Sequence, residues 1–259
     1  MVVALTGYAF PKIFSTAPWA AVTGAVGVLT YAVVGALLVG HPAQRGNGRL
    51  LTAAAALSAI VYLPGEPANG SWWPTINALH TSAMVPIGWF LLRYPQSRLS
   101  GLVSRLLVVA AAIWIPLTEL AMAQGPAPWP TLLGHGNAER WFGVNADELN
   151  QSIVSYADSG RILLCLVFVI LLIRRLIRSR GAERRGLAPI LVLGIVLGLI
   201  PIVEPMITGG SIPTPQSHEN RFVVIALVMI ALVAAVAVHL RRHPVDGQPD
   251  RALSTRGIR

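Results

Sequence analysis

The sequence predicts an all-α protein, a polytopic integral membrane bundle of about seven transmembrane helices with its N-terminus outside and its C-terminus inside. Three observations lead to this prediction. The 259 residues are 54% hydrophobic and only 12% charged, with a mean hydropathy of +0.62, whereas soluble domains carry roughly a quarter charged residues. The apolar residues form long runs. The basic residues fall between alternate runs, the pattern that orients membrane proteins.

Seven apolar runs are candidates for membrane spans, because a helix needs about 20 mostly apolar residues to cross a bilayer. The second run is the shortest. The predicted spans cover residues 17–40, 50–64, 75–92, 103–124, 155–177, 187–208 and 222–240. Together they form one transmembrane domain, residues 1–240. We expect the short basic tail that follows, residues 241–259, to be cytoplasmic and disordered.

The longest predicted connection, residues 125–154, lies on the outer side. Gly125 and the prolines that follow it mark its first part as irregular. Asn145 followed by Glu148 resembles a capping box, in which the two side chains bind free backbone amides at a helix start. We therefore expect the fifth helix to begin near Ala146 and to project above the membrane before it enters the bilayer.

The basic residues set the predicted orientation. Most of the 20 lysines and arginines lie in the loops 41–49, 93–105 and 174–186 and in the tail after residue 240. These segments alternate along the chain, so they share one side, which the positive-inside rule makes cytoplasmic. The net charge of +9 thus points to a lipid bilayer as partner and not to nucleic acid. The densest group provides six predicted topology anchors at anionic headgroups, Arg174, Arg175, Arg178, Arg180, Arg184 and Arg185.

Five ionisable residues lie in or beside predicted spans, where such groups are costly and suggest a function. At a rise of about 1.5 Å per residue, all five fall in the outer third of a hydrocarbon core about 30 Å thick. They could converge on an outward-facing ligand pocket covered by residues 125–154. Alternatively, each could reach the interface separately, with the aspartate and arginine of the fifth span paired. The candidate ligand-binding residues are His80, Glu119, Asp158, Arg161 and Glu204.

No pattern in the sequence predicts catalysis. The HExxH, GxSxG, P-loop and GxGxxG motifs are absent. The single cysteine, Cys165, cannot form a disulfide within the chain. We therefore expect no catalytic residue, no metal and no cofactor. His135, Glu139 and His218 form a weak alternative as metal ligands on the outer side, although their spacing does not require a metal.

The arginine group leads into the phrase ERRGLAPIL, Glu183 to Leu191. This phrase and the preceding residues from 145 onward resemble the membrane-spanning input region of actinobacterial sensor histidine kinases, the class paired with LuxR-type response regulators. In that family an arginine-rich helix end is followed by an ERR-x-L-AP phrase that opens the next helix. RWFGV at residues 140–144 resembles the phrase upstream. Pro189 would then stand near a helix start, where proline costs no hydrogen bond.

The resemblance implies a multi-pass plasma-membrane protein that perceives a signal at the outer face. Kinases of this class also carry a phosphoacceptor-histidine box and an ATP-binding domain, and no residues of this chain match either one. The implied function is a non-catalytic sensor module without the kinase core, acting through a histidine kinase, another membrane protein or a second copy. Two alternatives remain open: a small transporter or permease subunit, and an intramembrane enzyme using His80, Glu119 and Glu204.

Overall fold

The computed structural model describes residues 18–60, 78–96, 98–99, 101–123, 146–208 and 215–242. Within these ranges the regular structure is entirely helical, which confirms the predicted fold class. The described residues contain seven α-helices: α1 (Pro18–Val39), α2 (Arg45–Ala59), α3 (Met84–Arg93), α4 (Leu102–Ala123), α5 (Ala146–Arg178), α6 (Gly181–Thr208) and α7 (Pro215–Arg242). A short 3-10 helix, Pro42–Gln44, connects α1 to α2.

Three helices among the described residues are long and apolar enough to cross a membrane. The qualifying segments are Val22–Val39 in α1, Glu183–Val203 in α6 and Val223–Arg241 in α7. Large apolar side chains also cover the outside of the bundle; Val33 of α1, for example, is 58% exposed. Such a surface suits lipid and not water as solvent. The chain is thus a helical membrane protein, while the count of seven passes stays a prediction.

The start of α5 confirms the expectation drawn from the capping-box-like sequence, because the helix begins at Ala146. Its 33 residues extend about 50 Å at 1.5 Å per residue. That length exceeds a hydrocarbon core of about 30 Å, so α5 is long enough to project beyond the bilayer. α2 departs from its predicted span, since it begins at Arg45, directly after the 3-10 helix, and not at residue 50.

The arginine group does not form the loop predicted for residues 174–186. Only Ser179 and Arg180 separate α5 from α6. The Ser179 hydroxyl donates a hydrogen bond to the Arg175 carbonyl at 2.8 Å, and Gly181 adopts a positive φ of 59°. Glycine takes this conformation without the steric strain that a side chain would introduce. A two-residue turn therefore replaces the predicted loop, and most of the arginines belong to helices.

α6 begins before the predicted sixth span. Glu183 lies in its first turn, where a carboxylate is stabilised by the positive end of the helix dipole. Pro189 consequently lies about two turns inside α6. The expectation that this proline stands near a helix start is wrong, and so is the physical reason attached to it.

One apolar core joins all seven described helices. Its most buried members include Leu38 of α1, Leu51 of α2, Phe90 of α3 and Leu172 of α5, each 0% exposed. Apolar side chains of α4, α6 and α7 complete the same cluster. The core therefore holds the helices together over their buried faces.

Glycines allow two helix pairs to approach closely. A Cβ on Gly48 of α2 would meet the carbonyl oxygen of Gly35 and the backbone nitrogen of Val39 in α1. On the other side of the bundle, Gly194 and Gly198 lie four residues apart in α6 and face side chains of α5. Small residues at this spacing are typical of tightly packed membrane helices. Gly48 lies about one turn from the start of α2.

Candidate functional site

Two of the five predicted ligand-binding residues form an ion pair. Arg161 Nη2 lies 2.6 Å from Asp158 Oδ1 on the same face of α5, as their spacing predicts. The two side chains are 29% and 43% exposed, respectively. Glu119 and Glu204 belong to α4 and α6, but their side chains lie outside the described residues. Convergence of all five residues on one pocket therefore stays a prediction.

The third described residue, His80, is held by a different helix. Its Nδ1 lies 3.1 Å from the Ser58 carbonyl oxygen, so the ring donates this hydrogen bond to α2. The bond connects the helical residues just before α3 to the end of α2. His80 therefore has a structural role.

α4 packs directly beside the Asp158–Arg161 pair. The Trp114 indole of α4 lies against Gly160 of α5, where an added Cβ would collide with the ring. The same indole Nε1 is 3.4 Å from the Ala157 carbonyl oxygen. This packing aligns the helix that carries Glu119 with the segment that carries the pair.

The described residues contain no group of three or more histidine, cysteine, aspartate or glutamate side chains placed to bind a metal ion. Two of the residues considered as outer metal ligands, His135 and Glu139, lie outside the described ranges. The third, His218, lies at the start of α7, and its side chain also falls outside them.

A second polar region, which sequence analysis missed, lies at the other end of the bundle. We call it the buried polar cluster: the side chains of Gln44, Asn47, Arg93 and Arg175 with the backbone carbonyls of residues 91–96 that they bind. Gln44, Asn47 and Arg93 are 4%, 1% and 8% exposed. Buried polar groups of this kind require hydrogen-bond partners.

Amide side chains form the centre of the buried polar cluster. Gln44 Nε2 donates to the Pro95 carbonyl at 2.8 Å. Asn47 Nδ2 donates to Gln44 Oε1 at 2.5 Å and to the Gln96 carbonyl at 3.2 Å. Arg93 Nε donates to Asn47 Oδ1 at 2.5 Å. The start of α2 is thereby tied to the chain that follows α3.

Arg175 of α5 completes the cluster by capping α3. Its Nη1 donates to the Leu91 and Leu92 carbonyls, at 3.0 Å each, and its Nη2 donates to the Tyr94 carbonyl. The last carbonyls of a helix have no partner within the helix, and a cation is favourable at that end. Arg175 is therefore more than a topology anchor. The remaining predicted anchors, Arg174, Arg178, Arg180, Arg184 and Arg185, are exposed.

α7 meets the same end of the bundle through aromatic contacts. Tyr94 is 1% exposed, and its ring centroid lies 5.0 Å from that of Phe90 and 5.7 Å from that of His239 in α7. Together with the hydrogen bonds, these contacts bring the start of α2, the end of α3, the end of α5 and the end of α7 together, and we call this the arginine-rich end. This common location is the premise of the predicted orientation.

Burial changes the acid–base properties of the two residues that end α3. It lowers the pKa of the Arg93 guanidinium and raises that of the Tyr94 phenol, because both charged forms lose hydration. Arginine nevertheless remains charged in proteins. The Arg93 Nη2 and the Tyr94 hydroxyl have no hydrogen-bond partner in the described part of the chain.

The sequence carried only a weak signal for the buried polar cluster. Gln44 and Asn47 are neutral amides in a short segment, AQRGNGR, that also contains two glycines and two arginines. Amides, guanidinium groups and backbone carbonyls connect helices and bind anions. They do not constitute the nucleophile and base that covalent catalysis requires.

No family model, curated protein or solved structure matches this chain. The resemblance to sensor-kinase input regions therefore rests on the sequence of residues 140–194 alone.

Proposed function

We propose that this protein is a non-catalytic sensor module of the plasma membrane. It perceives a signal near the Asp158–Arg161 pair and transmits it through α5 to a partner at the arginine-rich end. The partner that the family resemblance implies is a histidine kinase. A histidine kinase would supply the catalytic output.

The observation that carries the proposal is that α5 bears both the Asp158–Arg161 pair and one member of the buried polar cluster, Arg175. Arg161 and Arg175 lie on one uninterrupted helix, about 21 Å apart along its axis. A bound stimulus that shifts α5 by about one residue rise, 1.5 Å, in the direction of the 3.0 Å bonds from Arg175 to Leu91 and Leu92 would break them. A two-state switch of this kind requires a second arrangement of α5 against α3.

A small transporter is one of the two alternatives left open by the sequence, and the described core argues against it. A transporter needs polar groups along the whole path across the membrane. Between the Asp158–Arg161 pair and Arg175, the buried residues of α5 are Val169 and Leu172, 4% and 0% exposed. These apolar side chains favour transmission by helix movement over passage of a solute.

The proposal is tested by purifying the full chain from membranes of its native host in mild detergent and identifying the proteins that accompany it by mass spectrometry. We expect a histidine kinase in stoichiometric amount. Autophosphorylation of that kinase is then compared between the wild type, Asp158→Asn, and Tyr156→Phe as a matched control on an exposed position of α5. We expect altered autophosphorylation in Asp158→Asn alone. The absence of a kinase, or equal rates in all three proteins, contradicts the proposal.

A further inference from the structure

The first turn of α2 lacks the side-chain cap that such a helix start usually has. Gln44 occupies the capping position but makes no capping hydrogen bond, because its amide binds Pro95 and Asn47 instead. The first N–H groups of a helix have no partner within the helix, and together they carry a partial positive charge. The start of α2 therefore attracts anions.

A buried cation is directed at the same turn. A Cβ placed on Gly46, the second residue of α2, would lie only 2.6 Å from Arg93 Nη2 and 3.5 Å from its Cζ. Arg93 is 8% exposed, its Nε is bound to Asn47, and its Nη2 has no hydrogen-bond partner among the described residues. Its guanidinium carbon also lies 6.0 Å from the centre of the Trp89 ring. The fork of the guanidinium thus lies directly against the helix start.

Positive charges dominate the surroundings of the first turn of α2. Arg45 and Arg49 lie one turn apart on exposed positions at the start of α2. Within the described part of the arginine-rich end, Glu183 is the acidic residue, and it interacts with Arg175. A buried cation beside the positive end of a helix is unfavourable unless an anion compensates it.

We propose that the first turn of α2 and Arg93 form a binding site for a phosphate group, with Arg45 and Arg49 at its rim. Helix-start amides and a guanidinium fork are the groups that recognise phosphate oxygens. Arg45 and Gly46 are exposed, so the turn is open to the outside of the bundle, and a phosphate there binds the buried Arg93 Nη2 after a shift of that side chain. The phosphate belongs to an anionic phospholipid headgroup or to free phosphate. We expect the lipid, because the predicted topology puts this turn at the cytoplasmic headgroup level. The site is independent of the proposed function.

The test uses the full-length protein purified in detergent. Native mass spectrometry counts the phosphatidylglycerol molecules that each chain retains in competition with phosphatidylcholine, a lipid without net charge. In a second experiment, the thermal unfolding temperature Tm is measured at increasing concentrations of inorganic phosphate. Arg93→Gln removes the charge. Gly46→Asp places a carboxylate beside Arg93 at a position where acidic residues favour helices, so this variant is expected to fold while its own carboxylate occupies the site. Arg105→Gln, on an exposed position of α4, is the control.

Three results decide the proposal. The lipid site is supported if the wild type preferentially retains phosphatidylglycerol and this retention falls about tenfold or more in Arg93→Gln and Gly46→Asp. Arg105→Gln should retain as much as the wild type. A saturable rise in Tm with inorganic phosphate, lost in the same two variants and without lipid preference, supports the site with free phosphate as its ligand. If the wild type prefers neither probe, or both variants bind as the wild type does, the proposal is wrong.

Discussion

The Asp158–Arg161 pair and the buried polar cluster differ in how far apart along the chain their members lie. The pair joins residues three positions apart on one helix. In the cluster, Gln44 reaches Pro95 across 51 residues, and Arg175 reaches Leu91 across 84. A local pair stabilises only its own helix, whereas bonds between distant segments hold the fold together. We therefore expect the cluster to contribute more to stability than the pair does.

The expected energies follow the same division. Hydrogen bonds that involve a charged group contribute about 1.5–3 kcal/mol each. An exposed ion pair within one helix contributes about 0.2–0.5 kcal/mol. Substitutions in the two regions should therefore differ several-fold in their effect on the free energy of unfolding.

The largest effect is expected for Arg175→Ala, which removes the donors for the carbonyls of Leu91, Leu92 and Tyr94. The free energy of unfolding should fall by about 3–5 kcal/mol, because those acceptors stay largely buried without a partner. Denaturant unfolding in detergent micelles, followed by circular dichroism, measures the change. Its control is Arg174→Ala, an exposed neighbour, which should stay within about 0.5 kcal/mol of the wild type. Equal losses in the two variants would show that Arg175 acts only as a surface charge.

An intermediate effect is expected where helices approach at glycine. Gly48→Ala brings a Cβ against the backbone of Gly35 and Val39 and should cost about 2–3 kcal/mol, because the backbone cannot move aside. Gly160→Ala meets the Trp114 ring instead and should cost about 1 kcal/mol, since a side chain can shift.

Gly27→Ala is the control for both glycine variants, because nothing lies within 4 Å of its added Cβ. The better helix propensity of alanine should stabilise α1 by up to about 1 kcal/mol. The same unfolding measurement ranks the three variants. A larger loss of unfolding free energy in Gly160→Ala than in Gly48→Ala would contradict the expectation that backbone contacts yield less than side-chain contacts.

The smallest effect is expected for Asp158→Asn, which removes the ion pair with Arg161. Both side chains are partly exposed, so the free energy of unfolding should fall by about 0.5 kcal/mol or less. Unfolding curves at low and high salt should differ less for this variant than for the wild type, because salt screens the pair. A loss above about 2 kcal/mol would place the pair among the groups that hold the fold together.

Hydropathy predicted the helical fold well and the helix ends less well. α4 and the start of α5 lie where the apolar run and the capping-box-like sequence put them. The junction of α5 and α6 does not, because a hydropathy window ends where arginine and glutamate begin. Both residue types are good helix formers. α5 therefore extends into the charged segment as far as Arg178, and α6 begins within it at Gly181.

The two polar regions were not equally visible in the sequence. Asp158 and Arg161 stand out because charged residues are rare within an apolar run. Gln44 and Asn47 do not, because neutral amides in a short segment look the same whether they are solvated or buried. Their partners are mostly backbone carbonyls, which every residue has.

Composition, hydropathy and the alternation of arginine segments were sufficient to establish a helical membrane protein and to predict which segments meet at one end, since these properties depend on residue type and spacing alone. They could not show that Arg175 caps α3 or that Arg93 is directed at Gly46. Those contacts depend on how α2, α3 and α5 pack against one another. Hydrogen bonds require donor and acceptor within about 3 Å, and only the packing of the whole bundle determines such distances between residues far apart in the chain.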